Sequence, residues 1–371
     1  SMKIDADADA DADKDVSTDA HKETEINHDD TNDGGDDDDD DDDEDIDSND
    51  IDSYDENVQN HLKRQKELFD DLSTFFNSGD ATPDEVKPLL SLLMKQVLND
   101  MIKSSSSSLS SSSKDRHDDN DNEENEGDDD EDDEQTKTSN PTYKILDVGC
   151  GTGALFPFYI QQSNKLNIDL NILGVDLSPK MVECATQNVN TLLLDQREET
   201  SKHTIKIQND DFVQTVLGKD YKTNKCITGF GDGVLDDDTM NYRGQFDAVV
   251  INACFGNFYD QVATMSAAAQ CLKNNGIVAI THPLGAPFVQ KLHTEDPATV
   301  PHNLPSLDLF KELSQTSQPL EVVDFMEDVK SLVANNNDNN NNDDDDDEYK
   351  SINGSSTIYY ACAKKVPHRT L

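Results

Sequence analysis

Beyond Tyr143 the chain alternates short apolar runs with amphipathic ones, separated by polar clusters. Residues 144–148, 171–176, 204–208, 246–252 and 277–281 have strand length and carry many β-branched side chains. Helical spacing follows them at 154–161, after Ser178-Pro179, near 211–217 and at about 260–273. Strand then helix, repeated, predicts a mainly parallel sheet. Asn274-Asn275-Gly276 reads as the turn into the fifth strand. A loop and a helix near 307–314 then lead to a sixth strand at 320–325. Residues 357–364 close as a seventh strand, antiparallel in a hairpin with the sixth.

Upstream the period changes. Val58, Leu62, Leu68, Phe69, Leu72, Phe75 and Phe76 recur at helical spacing, and Gly79-Asp80 ends that helix. Thr82-Pro83-Asp84-Glu85 reads as a capping box with proline at the first helical position. It opens a second helix carrying Leu89, Leu90, Leu93, Met94, Val97, Leu98, Met101 and Ile102. Such helices either cover a binding site or pack structurally.

Charge redraws the domain map. The net charge is −49, from 79 acids and 30 bases, and three tracts (1–56, 115–134 and 338–348) hold most of the acids. These tracts bury too little apolar surface to offset chain entropy, so disorder is expected. The expected organisation is an acidic arm at 1–56, a helical extension at 57–103, a Ser-rich and acidic insertion at 104–140, and one folded domain at 141–371. Within that domain, 219–244 reads as a surface insertion and 335–350 as a disordered Asn/Asp insertion. The tracts suit basic partners, or are repeat expansions tolerated in loops. The six cysteines show no Cys-x-x-Cys pair and no metal-ligand spacing, which suits reduced thiols in an intracellular, cytoplasmic setting. A plastid address stays open if a targeting segment is missing upstream. No window approaches the ~20 apolar residues of a spanning helix. No basic stripe offers a phosphate track, so neither membrane nor nucleic acid is expected.

The candidate chemistry centres on Ile145-Leu146-Asp147-Val148-Gly149-Cys150-Gly151-Thr152-Gly153, a strand, an acid and a glycine turn opening a helix. This is the mononucleotide-binding corner of a Rossmann-like α/β fold. Gly149-x-Gly151-x-x-Ala154 alone also fits a loose dinucleotide fingerprint. Asp147, two residues before the first glycine, suits a ligand with a cationic end better than a pyrophosphate. The second strand ends on Asp176, in Gly-Val-Asp-Leu-Ser, and the third in Asn209-Asp210-Asp211-Phe212. In such sheets ligands bind outside the carboxyl ends of the strands.

With these motifs the chain resembles the class I S-adenosylmethionine-dependent methyltransferases. That resemblance implies a seven-stranded, mainly parallel sheet with an antiparallel last strand. It implies S-adenosyl-L-methionine as cofactor, with S-adenosyl-L-homocysteine as product. It assigns Asp147, Gly149, Gly151 and Gly153 to the methionine end, Asp176 to the ribose, and Asp210, or Asp211 in the other register, to the adenine. Cys150, Leu177 and Asn252 complete the implied cofactor contacts. The runs 251–257, 281–285 and 296–302 look like a plant and algal subfamily of methyltransferase-domain proteins.

In-line methyl transfer needs alignment, plus a base where the acceptor carries a proton. Asn252 and Asn257 are candidates to orient an acceptor, and His282 or His302 to take its proton; the alternative for His282 is a loop residue bonded to backbone, and for His302 a Pro-rich loop that is only a rigid lid. Phe255, Phe258 and Tyr259 are candidate walls. The fourth strand lacks the Asn/Asp-Pro-Pro-aromatic signature of amino-methylating nucleic-acid and glutamine enzymes. The expected acceptor is a small molecule and the expected state a monomer. A nicotinamide-dependent oxidoreductase is the rival enzyme, and an acidic interaction protein that keeps the cofactor fold is the rival without catalysis.

Overall fold

The computed structural model describes residues 48–78, 82–106, 140–195, 203–218, 242–316, 318–337 and 357–367. Most of the expected arm, of the 104–140 insertion, of the 219–244 insertion and of the 335–350 tract, together with the Gly79-Asp80 helix stop, lies outside the described residues.

Among the described residues, seven strands form one sheet in the order β3-β2-β1-β4-β5-β7-β6. They are β1 (Thr142–Val148), β2 (Asp169–Asp176), β3 (Thr204–Asn209), β4 (Phe246–Asn252), β5 (Leu272–His282), β6 (Leu320–Asp328) and β7 (Thr357–Lys365). The first five pair in parallel, and β7 is antiparallel to both β5 and β6. This is the Rossmann-like arrangement with its reversed last strand. From β1 the chain winds outward to β2 and β3, then returns to β4 and β5 on the other side. In such sheets the binding crevice lies where those directions part, here at the carboxyl ends of β1 and β4.

Both faces of the sheet are covered, and period two sorts the side chains. On β1, Ile145 joins one core while Leu146 and Val148 join the other; on β4, Ala248 and Val250 part from Val249 and Ile251 in the same way. The first core takes in α2 (Lys87–Ser106), α3 (Phe156–Lys165), α4 (Pro179–Asp195) and α9 (Val329–Asn337). The second takes in α5 (Phe212–Leu217), α6 (Gln261–Cys271), α7 (Gly285–Glu295) and α8 (Leu307–Leu313).

Several elements differ from the sequence expectation. The first helix, α1 (Ser48–Asn77), begins well before Val58. The capping box is not realised: Val86 N–H bonds to the Pro83 carbonyl (2.9 Å) in a turn, and α2 starts only at Lys87. The helix after the glycine turn starts at Phe156 rather than Ala154. There is no free turn at Asn274-Asn275-Gly276. β5 begins directly after α6 and absorbs the turn as an irregularity, with Asn275 at φ +64°. Helix α7 lies where a loop was expected; its Pro287 falls in the first turn, where a missing N–H costs nothing. Helix α9 enters the Asn-rich tract because Asp328 receives the Ser331 N–H (2.8 Å) and hydroxyl, and Val329 and Leu332 are buried. Helix α2 is buried nearly all round, so it packs structurally. Covering falls to α1.

Candidate functional site

Backbone geometry shapes the corner after β1. The N–H groups of Gly149 and Cys150 both bond to the Val175 carbonyl on β2 (2.8 and 3.0 Å), which folds the turn against the neighbouring strand. Gly149 takes φ +69°, and a Cβ there would lie 2.6 Å from Cys254 Sγ. Gly151 takes φ +54°, yet a Cβ there would meet nothing within 4 Å. The first position thus requires glycine for packing; the second leaves clear space against bare main chain, as a close-lying ligand needs. Gly153 closes the turn by bonding to the Cys150 carbonyl (2.9 Å).

Three acids end adjacent strands, and their environments differ. Asp147 is 1% exposed, and its Oδ2 has no hydrogen-bond partner. Burial, with the Asp176 charge second, pushes its carboxyl up to about 8. Asp176 accepts from the Gly151 N–H through Oδ2 (2.8 Å) and from the Ser178 N–H through Oδ1 (2.9 Å). Burial raises its carboxyl, those two amides pull it back, and the Asp70 charge adds to the rise. Asp210 donates its N–H to the Asp176 carbonyl (3.0 Å), which ties the third strand end to the second. Its carboxylate accepts from the Tyr242 and Thr215 hydroxyls (both 2.5 Å). Asp211 instead caps α5, accepting from the Gln214 N–H (3.1 Å). Leu177 lies between, its carbonyl receiving the Asn209 side-chain amide (2.9 Å).

On the other side of the crevice, Asn252 ends β4 and its Oδ1 accepts from the Thr281 hydroxyl (2.8 Å), which leaves its amide N–H groups to donate. Ala253 follows at φ +56°, a left-handed conformation uncommon for alanine, held by its N–H on the Thr281 carbonyl (2.8 Å). His282 is buried against Phe288, and its Nδ1 accepts from the Leu284 N–H (3.2 Å), so Nε2 carries the proton. Burial lowers its imidazole to about 4. His302 faces the Tyr259 carbonyl through Nε2 (2.8 Å). A carbonyl only accepts, so that nitrogen is the donor. Both histidines are therefore bonded to loop backbone. Asp147, Asp176 and the glycine turn stand together and Asp210 adjoins them, whereas His282 is bonded within its own loop and His302 to the loop after β4.

A family model described as a methyltransferase domain matches residues 64–314. This chain belongs to that family. The match does not separate out a plant or algal subfamily. No curated protein matches. Among solved structures, the methyltransferase domain is similar to geranyl diphosphate C-methyltransferase from Streptomyces coelicolor A3(2), with 14% identity, 62% of this chain and 75% of that one covered, and TM-score 0.36. It is also similar to phosphoethanolamine N-methyltransferase 2 from Haemonchus contortus (17%, 63% and 51%, TM-score 0.35). A third is an arsenic(III) S-adenosylmethionine methyltransferase from Chlamydomonas reinhardtii (14%, 62% and 64%, TM-score 0.36). Nothing about the acceptor follows from these likenesses.

The methyltransferase domain also uses residues that apolar periodicity passed over. The inward face of α1 is largely polar: His61, Gln65 and Ser73 are buried, while Phe75 and Phe76 are exposed. The reason is what α1 covers. His61 Nε2 donates to the Asn257 carbonyl (2.7 Å), and the Gln65 amide donates to the Thr299 carbonyl. Strand-end loops expose carbonyls, and a helix lying on them must bring donors. Further along α1, Asp70 accepts from the Ser178 hydroxyl (2.6 Å), and the Phe76 carbonyl accepts from Thr152 (3.4 Å). A legible signal was available in the polar residues at 61 and 65, four apart on one face. Among the described residues no group of three or more His, Cys, Asp or Glu could hold a metal, and no helix is long and apolar enough to cross a membrane.

Proposed function

We propose that this methyltransferase domain binds S-adenosyl-L-methionine in the crevice at β1, β2 and β3 and methylates a small-molecule acceptor at the ends of β4 and β5. The observation that carries the reading is Asp147: a buried carboxyl oxygen without a partner, beside a glycine whose missing Cβ leaves open space. Both features fit a ligand that has a cationic end and lies flat on main chain. A nicotinamide dinucleotide would give Asp147 no role.

When bound, the cofactor supplies an electrophilic methyl group on a sulfonium. The chain's own residues bind and align. Asp147 takes the amino group of the methionine end, with Gly149, Cys150, Gly151 and Gly153 as the surface beneath it. Asp176, already held by two amides, has lone pairs left for ribose hydroxyls, and Leu177 lines that end. Asp210 has the same capacity toward the adenine amino group; Asp211 is committed to capping α5. Asn252 and Asn257 orient the acceptor. His302 is chosen over His282 to take a proton, because the His282 Nδ1 is spent on the Leu284 amide, whereas the His302 ring is bonded through Nε2. The acidic tracts would meet basic partners.

Calorimetry with S-adenosylhomocysteine and with NAD tests the cofactor. Binding of the first is expected; binding of NAD alone would overturn the reading. A screen with methyl-labelled S-adenosylmethionine then identifies the acceptor.

A further inference from the structure

Asp147 lies on the same face of β1 as Ile145, the face that packs under α3. Among the described residues, every group that meets it there is neutral or acidic. β2 sets Gly174 opposite it and Asp176 at the strand end, and β4 sets Val250 opposite. The glycine turn brings Cys150 and the loop after β4 brings Cys254; both thiols are raised by burial first and by Asp147 next. From α3 comes Tyr159, whose own hydroxyl is buried without a partner and whose phenol is raised by burial and then by Asp147. Among the described residues, no lysine, arginine or histidine influences Asp147; the influences are burial and Asp176.

A buried carboxylate without a counter-charge or donor is strongly disfavoured, and the group answers by keeping its proton. Its elevated carboxyl range agrees with that geometry. We propose that cofactor binding by this domain exchanges one proton for one cation: the cofactor-free protein holds a neutral Asp147 carboxyl, and the ammonium of the incoming amino-acid end takes the proton's place. The Asp147 O–H bond breaks, the proton leaves to solvent, and the carboxylate and the ammonium remain as an ion pair. No electrons move and no co-reactant is needed. The proposal rests on the cofactor reading above.

The test is titration calorimetry of the full chain with S-adenosylhomocysteine, which carries the same amino-acid end, in two buffers of different protonation enthalpy. At pH 7 the buffer dependence should report about one proton released per ligand, fading above about pH 9. Affinity should rise about tenfold per pH unit from pH 5 to 7. In Asp147→Asn, which copies the neutral form, the proton count should fall to near zero while the circular dichroism spectrum stays unchanged. Tight binding with no buffer dependence in the unaltered protein would overturn the proposal, as would an unchanged proton count in Asp147→Asn. Should that variant misfold, the unaltered protein's proton count decides alone. Absence of any S-adenosylhomocysteine binding would instead overturn the cofactor reading, and this proposal with it.

Discussion

The Gly151 N–H donates to Asp176 Oδ2 at 2.8 Å, so the end of β2 holds the middle of the turn that follows β1. One carboxylate thereby positions two surfaces of the proposed site: the lone pairs proposed for a ribose, and the open main chain of Gly151. A second bond, from Ser178, fixes its other oxygen at the start of α4.

Replacing Asp176 with alanine removes the acceptor of both amides as well as the proposed ribose contact. Cofactor affinity is expected to fall by about 1–3 kcal/mol. Calorimetry with S-adenosylhomocysteine measures it, and an unchanged affinity would count against the ribose assignment.

Two glycines should fail differently. In Gly149→Ala the new methyl meets Cys254 Sγ at 2.6 Å in a left-handed backbone, so thermal stability should drop by about 2 kcal/mol or more. In Gly151→Ala the space is open, and only the backbone cost of about 1 kcal/mol applies. Its methyl instead enters the proposed cofactor surface, so affinity should fall at least about tenfold, or about 1.4 kcal/mol. Melting curves beside binding curves separate the two.

Stability should depend on pH through two groups of opposite sign. The Asp147 carboxyl is raised to about 8, so between its unfolded value of 3.8 and 8 the native state holds a proton that the unfolded chain lacks. Its contribution is full below 3.8 and is lost as pH rises through 8. The His282 imidazole is lowered to about 4, so its contribution is present above 6.5 and is lost as pH falls through 4. Relative to the unaltered protein, Asp147→Asn should gain stability as pH rises from 4 to 8. His282→Gln should flatten the acid limb between 6.5 and 4. Urea denaturation across pH checks both.

Contacts of α1 should rank by burial. The Arg64–Asp296 ion pair (3.0 Å) is half exposed, and Arg64→Ala should cost less than about 1 kcal/mol. Gln65 is buried and its amide serves the Thr299 carbonyl, so Gln65→Ala should cost about 1–3 kcal/mol. Equal losses in chemical denaturation would contradict this account of the helix.

Local periodicity and turn chemistry are written in the amino-acid sequence alone. Strands with both faces buried read as near-continuous apolar runs, which is why 246–252, apolar except for Asp247 and the closing Asn252, was readable to the residue as β4. The glycine turn and the acids at 147, 176 and 210–211 were legible because each is a break in such a run. Tertiary structure decided everything that depends on which distant group lies opposite. It left Asp147 without a partner, gave Asp211 to a helix cap and Asp210 to Tyr242, and spent the Nδ1 of His282 on a backbone amide. It also turned the polar side of α1 inward, onto carbonyls more than 190 residues away in sequence. A hydrogen bond or an isolated charge is a property of two places in the chain at once, and periodicity reads only one.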